Sequence, residues 1–302
     1  MTSSPVLSAP VGEDAGRPEA PPLTLDQFVR VSEWVYRRTG IRFGPNKRYF
    51  VDKRVQACVR QHGGNFEAWF TSVRAGACTV SSQRLINELT VNETYFLRED
   101  RQFDALVDSV LPRIRTDRRN TGDPASIRIL SLPCATGEEP YSIGIELLER
   151  WPDIAEVDVE IVGADIDTRV LEQARRGEYG ERSLQRVPPA VRSRWFERTG
   201  PELFRIKPEL RDAIEFSLAN ICESDAMRSF RDFDVVFCRN LLIYFDELST
   251  RRAIENLFGV LRPGGYLFLG LSESMSRASS ILEPVRLAEG IVYRRPRIGS
   301  AS

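Results

Sequence analysis

The segment from Ile127 to Gly144 constrains the fold more than any other part of the chain. Ile127 to Leu132 is a short apolar run of strand type, and Pro133 to Thr136 cannot continue it. Gly137 permits a sharp turn, and the acids and proline of Glu138 to Pro140 are favoured in the first turn of a helix. The pattern predicts a strand, a tight turn and a helix. That is the first half of a nucleotide-type βαβ unit, whose binding crevice lies at the carboxyl end of the strand.

The chemistry of this turn limits what it can bind. It holds one glycine, no lysine and two carboxylates. A phosphate cradle needs several glycines and usually a lysine, because backbone N–H groups must close on an anion. This turn would repel a pyrophosphate and suits a neutral or cationic ligand such as S-adenosylmethionine, which carries a sulfonium and an ammonium group. An ordinary βα turn whose acids cap the helix dipole explains the same residues equally well, so both interpretations stay open here.

Composition excludes several classes of protein. With 302 residues, 42% of them hydrophobic, and a net charge of −1, the chain predicts one or two domains with a real core and disfavours a nucleic-acid-coating protein. No apolar run is long enough to cross a bilayer and no signal peptide is evident, so we expect a cytoplasmic protein without direct membrane insertion. Five scattered cysteines without CxxC spacing predict neither a disulfide framework nor a metal site. The single histidine, His62, disfavours Ser/His or Cys/His hydrolase chemistry.

The amino-terminal third predicts a small helical domain. Residues 1–22 have the composition of a disordered tail, and residues 23–112 show helical periodicity that begins with the capping box Thr24-x-x-Gln27. Between residues 24 and 62 there are nine Lys or Arg and three acids, a difference of +6. This basic stretch is either a solvated helix face, the usual explanation, or a dock for a nucleic acid or a carboxylate-rich protein helix.

The rest of the chain predicts an α/β domain. A polar linker is expected over 113–124, a sheet domain over 125–295 and a short tail over 296–302. Strands are expected at 127–132, 157–164, 214–218, 233–238, 266–270 and 290–294. Alternation with helices favours a mostly parallel sheet covered on both faces, and an antiparallel hairpin is expected as an insertion at about 180–210. Asp165, at the end of the second strand, is placed to hold both hydroxyls of a ribose.

Five motifs occur in one order along the chain. They are Asn92-x-Thr-x-Phe-x-Arg98, Ala135–Ser142, Asp165-Ile-Asp167, Phe237–Asn240 with Ile243-Tyr-Phe245, and Leu261–Gly265. Together, over about residues 24–294, the chain resembles the chemotaxis receptor methyltransferase family (CheR). The resemblance implies an all-α amino-terminal domain and a class I, Rossmann-like methyltransferase domain with an inserted β-subdomain. It also implies methyl transfer from S-adenosylmethionine to glutamate side chains of chemoreceptors, leaving S-adenosylhomocysteine.

The resemblance also implies roles for particular residues. The cofactor-binding set would be Asn92, Thr94, Arg98, Glu139, Asp165, Asn220, Ile221, Arg239 and Asn240. Glu139 would lie near the methionine ammonium, and Arg98 and Tyr244 would be the catalytic residues nearest the methyl group. Receptor docking would fall to basic residues of the second helix, namely Lys47, Lys53, Arg54 and Arg60.

The implied partner is the cytoplasmic helical region of a chemoreceptor, and we expect a monomer that binds no nucleic acid. The turn Arg198–Glu202 of the inserted hairpin is shorter than in members of the family that grip a receptor's terminal peptide, so we expect an enzyme that needs no tether. A glutamate target needs no general base, because its pKa of about 4.3 leaves it ionised at neutral pH. Two alternatives remain: a nucleic-acid methyltransferase, and a cofactor-binding signalling protein whose targets are not chemoreceptors.

Overall fold

The structure is a computed structural model that describes residues 22–76, 79–123, 126–273 and 281–297. The predicted tails at 1–22 and 296–302 fall almost wholly outside the described residues. None of the helices in the described ranges is long and apolar enough to span a membrane.

The amino-terminal domain consists of four helices and one short 3-10 turn. The elements are α1 (Leu25–Thr39), the turn Pro45–Lys47, α2 (Arg48–Gln61), α3 (Phe66–Arg74) and α4 (Val80–Leu89). The Thr24/Gln27 capping box is present, and Asn65 caps α3. The inward faces of these helices share one apolar core, in which Val31, Val55 and Val73 are fully buried.

A continuous helical segment connects the two domains where a linker was predicted. It comprises α5 (Arg101–Asp104), a π-helical stretch (Ala105–Val110) and α6 (Leu111–Thr121). The prediction of a linker from residue 113 is therefore wrong up to Thr121. Leu111, Ile114 and Arg118 are buried at helical spacing. The apolar periodicity of α6 is interrupted in the sequence because Arg118, a charged residue, occupies a core position. There it donates to both carboxylate oxygens of Asp234 at 2.9 and 2.8 Å.

The carboxyl-terminal domain is built on a seven-stranded sheet in the order β6-β2-β1-β7-β8-β10-β9. The strands are β1 (Ile127–Ser131), β2 (Val159–Asp165), β6 (Ile214–Leu218), β7 (Phe233–Cys238), β8 (Leu261–Leu269), β9 (Glu283–Arg286) and β10 (Ile291–Arg294). The first five strands in spatial order pair in parallel, whereas β10 pairs antiparallel with both β8 and β9. The prediction of a mostly parallel sheet is therefore confirmed.

Helices cover both faces of this sheet. They are α7 (Glu138–Arg150), α8 (Thr168–Arg176), α12 (Ser224–Met227) and α13 (Glu247–Val260). Side chains of α6, α7 and α8 share one core with the sheet, and those of α12 and α13 share the other. The strand expected from residue 266 begins earlier, at Leu261, because Pro263–Gly265 continues β8 with a register shift against β7 instead of forming a turn.

The predicted insertion is a small antiparallel sheet in the order β3-β5-β4. Its elements are β3 (Glu178–Gly180), α9 (Glu181–Leu184), α10 (Pro189–Trp195), β4 (Phe196–Arg198), β5 (Leu203–Ile206) and α11 (Pro208–Arg211). The predicted hairpin is β4–β5. The third strand, β3, starts before residue 180 and was not expected.

The two domains meet along the end of α1. The hydroxyl of Tyr36 donates to Asp246 at 2.8 Å, and Ile41 forms a backbone bridge with Phe245. The amide of Asn220 donates to the carbonyl of Arg38 at 2.7 Å. These contacts place the helical domain beside the carboxyl ends of the parallel strands, which is the edge where ligands bind in open α/β sheets.

Candidate active site

A cleft opens at the carboxyl ends of β1, β2 and β7. Seven of the nine predicted cofactor residues line it: Asn92, Thr94, Arg98, Glu139, Asp165, Arg239 and Asn240. The structure does not bring Asn220 and Ile221 into this lining. They follow β6 next to the end of β2, and both are buried.

The turn after β1 lies tightly against the end of β2. Ala135 adopts a left-handed φ of 46°, and its N–H donates to Asp165 at 2.9 Å. Gly137 has a φ of 95°, and a Cβ there would approach Ala174 to 2.8 Å and the hydroxyl of Tyr179 to 3.0 Å. The predicted sharp turn therefore needs glycine for both its conformation and the available space.

Asp165 is the buried acceptor of the cleft. One carboxylate oxygen accepts from Ala135 N and the other from the N–H of Asp167, each at 2.9 Å. Burial raises the pKa of Asp165 to about 6, and these backbone donors oppose the rise. A carboxylate in this position has lone pairs left to accept the two hydroxyls of a ribose.

Asp167 performs a different task from its neighbour, which the sequence did not reveal. It is fully buried and caps α8 by accepting from the N–H of Arg169 at 2.9 Å. Its other oxygen accepts from the hydroxyl of Thr90 at 2.8 Å and from the amide of Asn92 at 2.9 Å. Asp167 thus fixes the start of the segment that carries Asn92 and Arg98.

A buried guanidinium joins two carboxylates across the floor of the cleft. Arg239 contacts Glu139 at 2.8 Å and Glu99 at 3.1 Å, and it donates to the carbonyl of Arg98 at 2.6 Å. The other oxygen of Glu139 accepts from Ser131 at 2.7 Å. Burial raises the pKa of Glu139, and the charge of Arg239 opposes this rise. Glu139 is therefore already engaged by two side chains, in addition to its predicted position near an ammonium group.

One polar atom of this network has no protein partner. The Nε of Arg239 is buried and makes no hydrogen bond among the described residues. A buried unsatisfied donor is costly unless a ligand meets it. The carboxylate of a methionyl group is such a ligand. The residues present therefore fit S-adenosylmethionine at both of its ends, with Asp165 as the acceptor for the ribose hydroxyls and Arg239 as the donor to the amino-acid part.

The segment 92–99 presents Arg98 at the mouth of the cleft in a strained backbone. Its neighbours Leu97 and Glu99 adopt left-handed φ values of 57° and 59°. The guanidinium of Arg98 donates to the carbonyl of Glu93 at 2.7 Å and lies 5.8 Å from the ring centre of Tyr95. Such conformations persist only where the surroundings hold them, and they concentrate at functional sites.

The inserted subdomain supplies much of that support. Phe96 is fully buried between the rings of Tyr179 and Phe196, with centroid distances of 4.8 and 5.1 Å in edge-on geometry. The N–H of Phe96 donates to the carbonyl of Ser183 at 3.0 Å. The insertion therefore anchors the segment that carries Arg98, a role that the sequence pattern did not indicate.

Tyr244 lies close to Arg98 on a loop that follows β7. Tyr244 is 37% exposed and is not among the residues that line the cleft. Burial of the remainder raises the pKa of Tyr244, and the nearby charge of Arg98 opposes that rise. The same loop is held by Glu273, which the sequence interpretation did not single out; the available signal was an acid four residues beyond the end of β8.

The four predicted docking residues do not share one surface. Lys53 and Arg60 are exposed on α2, and Lys47 is exposed on the preceding turn. Arg54 is only partly exposed and stacks over the ring of Phe50 at 3.6 Å, and burial lowers its pKa. Lys53 and Arg60, seven residues apart, therefore form the exposed cationic face of α2, and Arg54 is turned to a different side. Lys47 precedes α2 and is seven residues from Arg54, so it does not extend that face.

Two family profiles match the chain in succession. Residues 26–90 match the all-alpha domain of CheR methyltransferases, and residues 92–291 match their SAM-binding domain. The chain belongs to the CheR methyltransferase family. The resemblance inferred from the motifs is thereby confirmed, and S-adenosylmethionine is the methyl donor of this CheR methyltransferase.

Named relatives extend over nearly the whole protein. Chemotaxis protein methyltransferase 2 of Vibrio cholerae is 41% identical over 280 residues, covering 92% of this chain and 96% of its own length. Chemotaxis protein methyltransferase 2 of Pseudomonas aeruginosa is 36% identical, covering 87% of this chain and 91% of its own. This CheR protein is accordingly a methyltransferase of chemotaxis. In the described ranges, no group of three His, Cys, Asp or Glu side chains could hold a metal ion.

Proposed function

We propose that this CheR protein methylates glutamate side chains in the cytoplasmic helices of chemoreceptors, giving glutamate methyl esters for sensory adaptation. The observation that carries the proposal is the position of Arg98. Arg98 lines the cofactor cleft, and its charge acts on Tyr244 of the neighbouring loop. A cation at this point attracts an ionised carboxylate and would repel a cationic acceptor such as a protonated amine.

Methyl transfer to a glutamate carboxylate requires the protein mainly to position the two reactants. S-adenosylmethionine supplies an electrophilic methyl group, and a glutamate carboxylate with a pKa of about 4.3 is already a nucleophile at neutral pH. Asp165 and Arg239 would hold the two ends of the cofactor, and Arg98 would orient the incoming carboxylate as its oxygen takes the methyl group and S-adenosylhomocysteine leaves. Alignment of this kind contributes about 7–11 kcal/mol to lowering a barrier, so a general base is not needed.

The exposed basic face of α2 is the surface we propose for the receptor. Lys53 and Arg60 project from α2, and the chain just before α2 contacts the Tyr244 loop through Arg42 N and the carbonyl of Tyr244 at 3.4 Å. An acidic helix bound along α2 would thus end near the mouth of the cleft. Complementary charge across such a surface mainly sets register and association rate.

The inserted subdomain has a role here that needs no receptor peptide. Because Phe96 is held by Tyr179 and Phe196, the small sheet supports the Arg98 segment whether or not a tether binds it. The short turn Arg198–Glu202 is the feature that supports a tether-independent enzyme.

The decisive experiment is methylation of receptor cytoplasmic fragments with tritiated cofactor. We expect radioactivity on glutamate that is released by mild base, as esters are. Replacing the labelled glutamates by alanine should abolish incorporation. Base-stable label, or incorporation into RNA in place of the fragment, would contradict the proposal.

The docking surface has its own test. The double variant Lys53→Glu/Arg60→Glu should raise the KM for the receptor fragment and leave the Kd for S-adenosylhomocysteine unchanged, because both side chains lie outside the cofactor cleft. Arg113→Glu, an exposed charge reversal on α6, is the matched control and should change neither quantity. An unchanged KM in the double variant would remove α2 from the proposed interface.

A further inference from the structure

We propose that Glu273 is a positioning residue for methyl transfer. Its carboxylate sets the conformation of the loop 240–244, which brings Asn240 into the lining of the cofactor cleft and carries Tyr244 at its other end. The inference rests on the proposed transfer to glutamate only where kcat on a receptor fragment is measured. The Kd for S-adenosylhomocysteine can be measured without any acceptor.

The carboxylate of Glu273 gathers four backbone N–H groups. One oxygen accepts from Asn240 at 2.8 Å and from Gly270 at 2.7 Å. The other accepts from Leu242 at 2.6 Å and from Ile243 at 3.4 Å. A single side chain therefore joins the residues that follow two adjacent parallel strands, β7 and β8. Hydrogen bonds to an ionised acceptor are shorter and stronger than those between neutral groups.

The loop needs this external support because it cannot hold itself. Asn240 has a left-handed φ of 58°. The 3-10 turn Leu242–Tyr244 that follows is only three residues long, and no side chain caps it from Leu241. The first N–H groups of a helical turn have no partner within the turn, so an outside acceptor must satisfy them. Glu273 is that acceptor for Leu242 and Ile243.

Gly270 keeps the space that this carboxylate occupies. A Cβ at Gly270 would lie 2.8 Å from the nearer oxygen of Glu273, 2.9 Å from the amide nitrogen of Asn240 and 3.0 Å from its backbone nitrogen. The requirement for glycine is purely one of space, because the φ of Gly270 lies outside the left-handed region. Any side chain at this position would push Glu273 and Asn240 apart.

The contact has a functional consequence because the loop faces both reactants. Asn240 lines the cofactor cleft and donates to Glu99 at 3.4 Å, and Glu99 in turn contacts Arg239. At the other end of the loop, Tyr244 lies within the electrostatic reach of Arg98. Loss of the four hydrogen bonds would therefore displace donor-side and acceptor-side groups together, and a displacement of about 1 Å can cost on the order of 100-fold in rate.

The test compares Glu273→Gln with the wild type. Glutamine has the same size but offers one acceptor oxygen and turns an NH₂ group toward backbone donors. We expect kcat for receptor-fragment methylation to fall by about tenfold to 100-fold. We also expect the Kd for S-adenosylhomocysteine to rise severalfold, while the KM for the fragment stays unchanged. Glu273→Asp keeps the charge and should recover part of the loss.

Two further variants separate positioning from stability. Ile127→Val removes one methyl group at the amino end of β1, far along the strand from the cleft, and should lower the thermal midpoint without changing kcat or the cofactor Kd. Gly270→Ala disturbs the same carboxylate from the other side and should reproduce the Glu273→Gln pattern, which keeps the proposal testable if that variant does not fold.

The outcomes are distinct. Normal kcat and normal S-adenosylhomocysteine affinity in Glu273→Gln and Gly270→Ala, with only a lower thermal midpoint, would show that the contact is structural and overturn the inference. If the wild type does not methylate the fragment, the proposed acceptor is wrong, yet calorimetry with S-adenosylhomocysteine still decides whether Glu273 positions Asn240.

Discussion

Lowering the pH from 8 to 5 should weaken the binding of S-adenosylhomocysteine through the protonation of Asp165. This side chain is 2% exposed, and burial raises its pKa to about 6. Ribose hydroxyls donate hydrogen bonds to the ionised carboxylate, so binding favours the charged form. Protonation of the free protein must therefore compete with the ligand.

The magnitude follows from a single titration. With a pKa of about 6 in the free protein, the apparent Kd scales as one plus ten to the power pKa minus pH. Between pH 8 and pH 5 this factor rises about 11-fold, or about 1.4 kcal/mol. At pH 6 half of the free protein carries the proton, so binding should release about half a proton.

Folding responds to the same group with the opposite sign. The ordinary pKa of an aspartate is 3.8, and the native value is about 6. Between about pH 4 and pH 6 the unfolded chain loses this proton while the native protein keeps it, so the group lowers ligand-free stability as pH rises through that window. Ligand affinity and unliganded stability should therefore move in opposite directions.

Isothermal titration calorimetry at pH 5, 6, 7 and 8 measures the affinity. Repeating the pH 6 titration in two buffers with different heats of ionisation gives the number of protons released. Asp165→Asn keeps the shape of the side chain but cannot titrate, so its weaker binding should lack this pH dependence. A flat wild-type Kd with no proton release would refute the argument, and the same slope in Asp165→Asn would assign the effect to another group such as Glu139.

Three further outcomes follow from the site. Arg98→Ala should lower kcat strongly and leave the circular dichroism spectrum unchanged, because it removes the cation that meets the acceptor while the fold stays intact. Wild-type turnover would exclude Arg98 from the mechanism. Arg239→Met should lower the free energy of unfolding by about 3–5 kcal/mol, because it leaves Glu139 buried without its partner, and urea titration measures this. Phe96→Ala should lower kcat and change the KM for the receptor fragment little, because it loosens the segment that carries Arg98. A kcat equal to that of the wild type in steady-state assays would show that the inserted subdomain does not hold that segment.

The sequence predicted the sheet well where local pattern and burial agree. The run that became β7 is mostly apolar, the run that became β6 alternates apolar and polar residues, and the predicted limits of both match the structure. It missed α6 because a buried Arg118 occupies a core position, and its partner Asp234 lies 116 residues away. Such a pair is invisible to a search for apolar periodicity.

The candidate site was predictable to a similar extent. Seven of the nine cofactor residues implied by the family resemblance line one cleft. Four of them, Glu139, Asp165, Arg239 and Asn240, lie at or just after the ends of β1, β2 and β7, and parallel strands end at the same edge of a sheet. The supporting residues were not predictable. Asp167 accepts from the distant side chains of Thr90 and Asn92, and Glu273 accepts from backbone N–H groups about 30 residues earlier in the chain, so only the folded structure brings these donors and acceptors together.

The distribution of backbone strain points to the same view of the mechanism. Among the described residues, five that are not glycine have positive φ, and four of them, Leu97, Glu99, Ala135 and Asn240, lie in or beside the cleft. Each such conformation costs about 1–3 kcal/mol and persists only where other contacts impose it. A reaction that needs proton transfer could rely on one activated side chain. For an acceptor that is already ionised, the proposed enzyme has only alignment to contribute, and its strained residues and their buried acceptors are concentrated where alignment is decided.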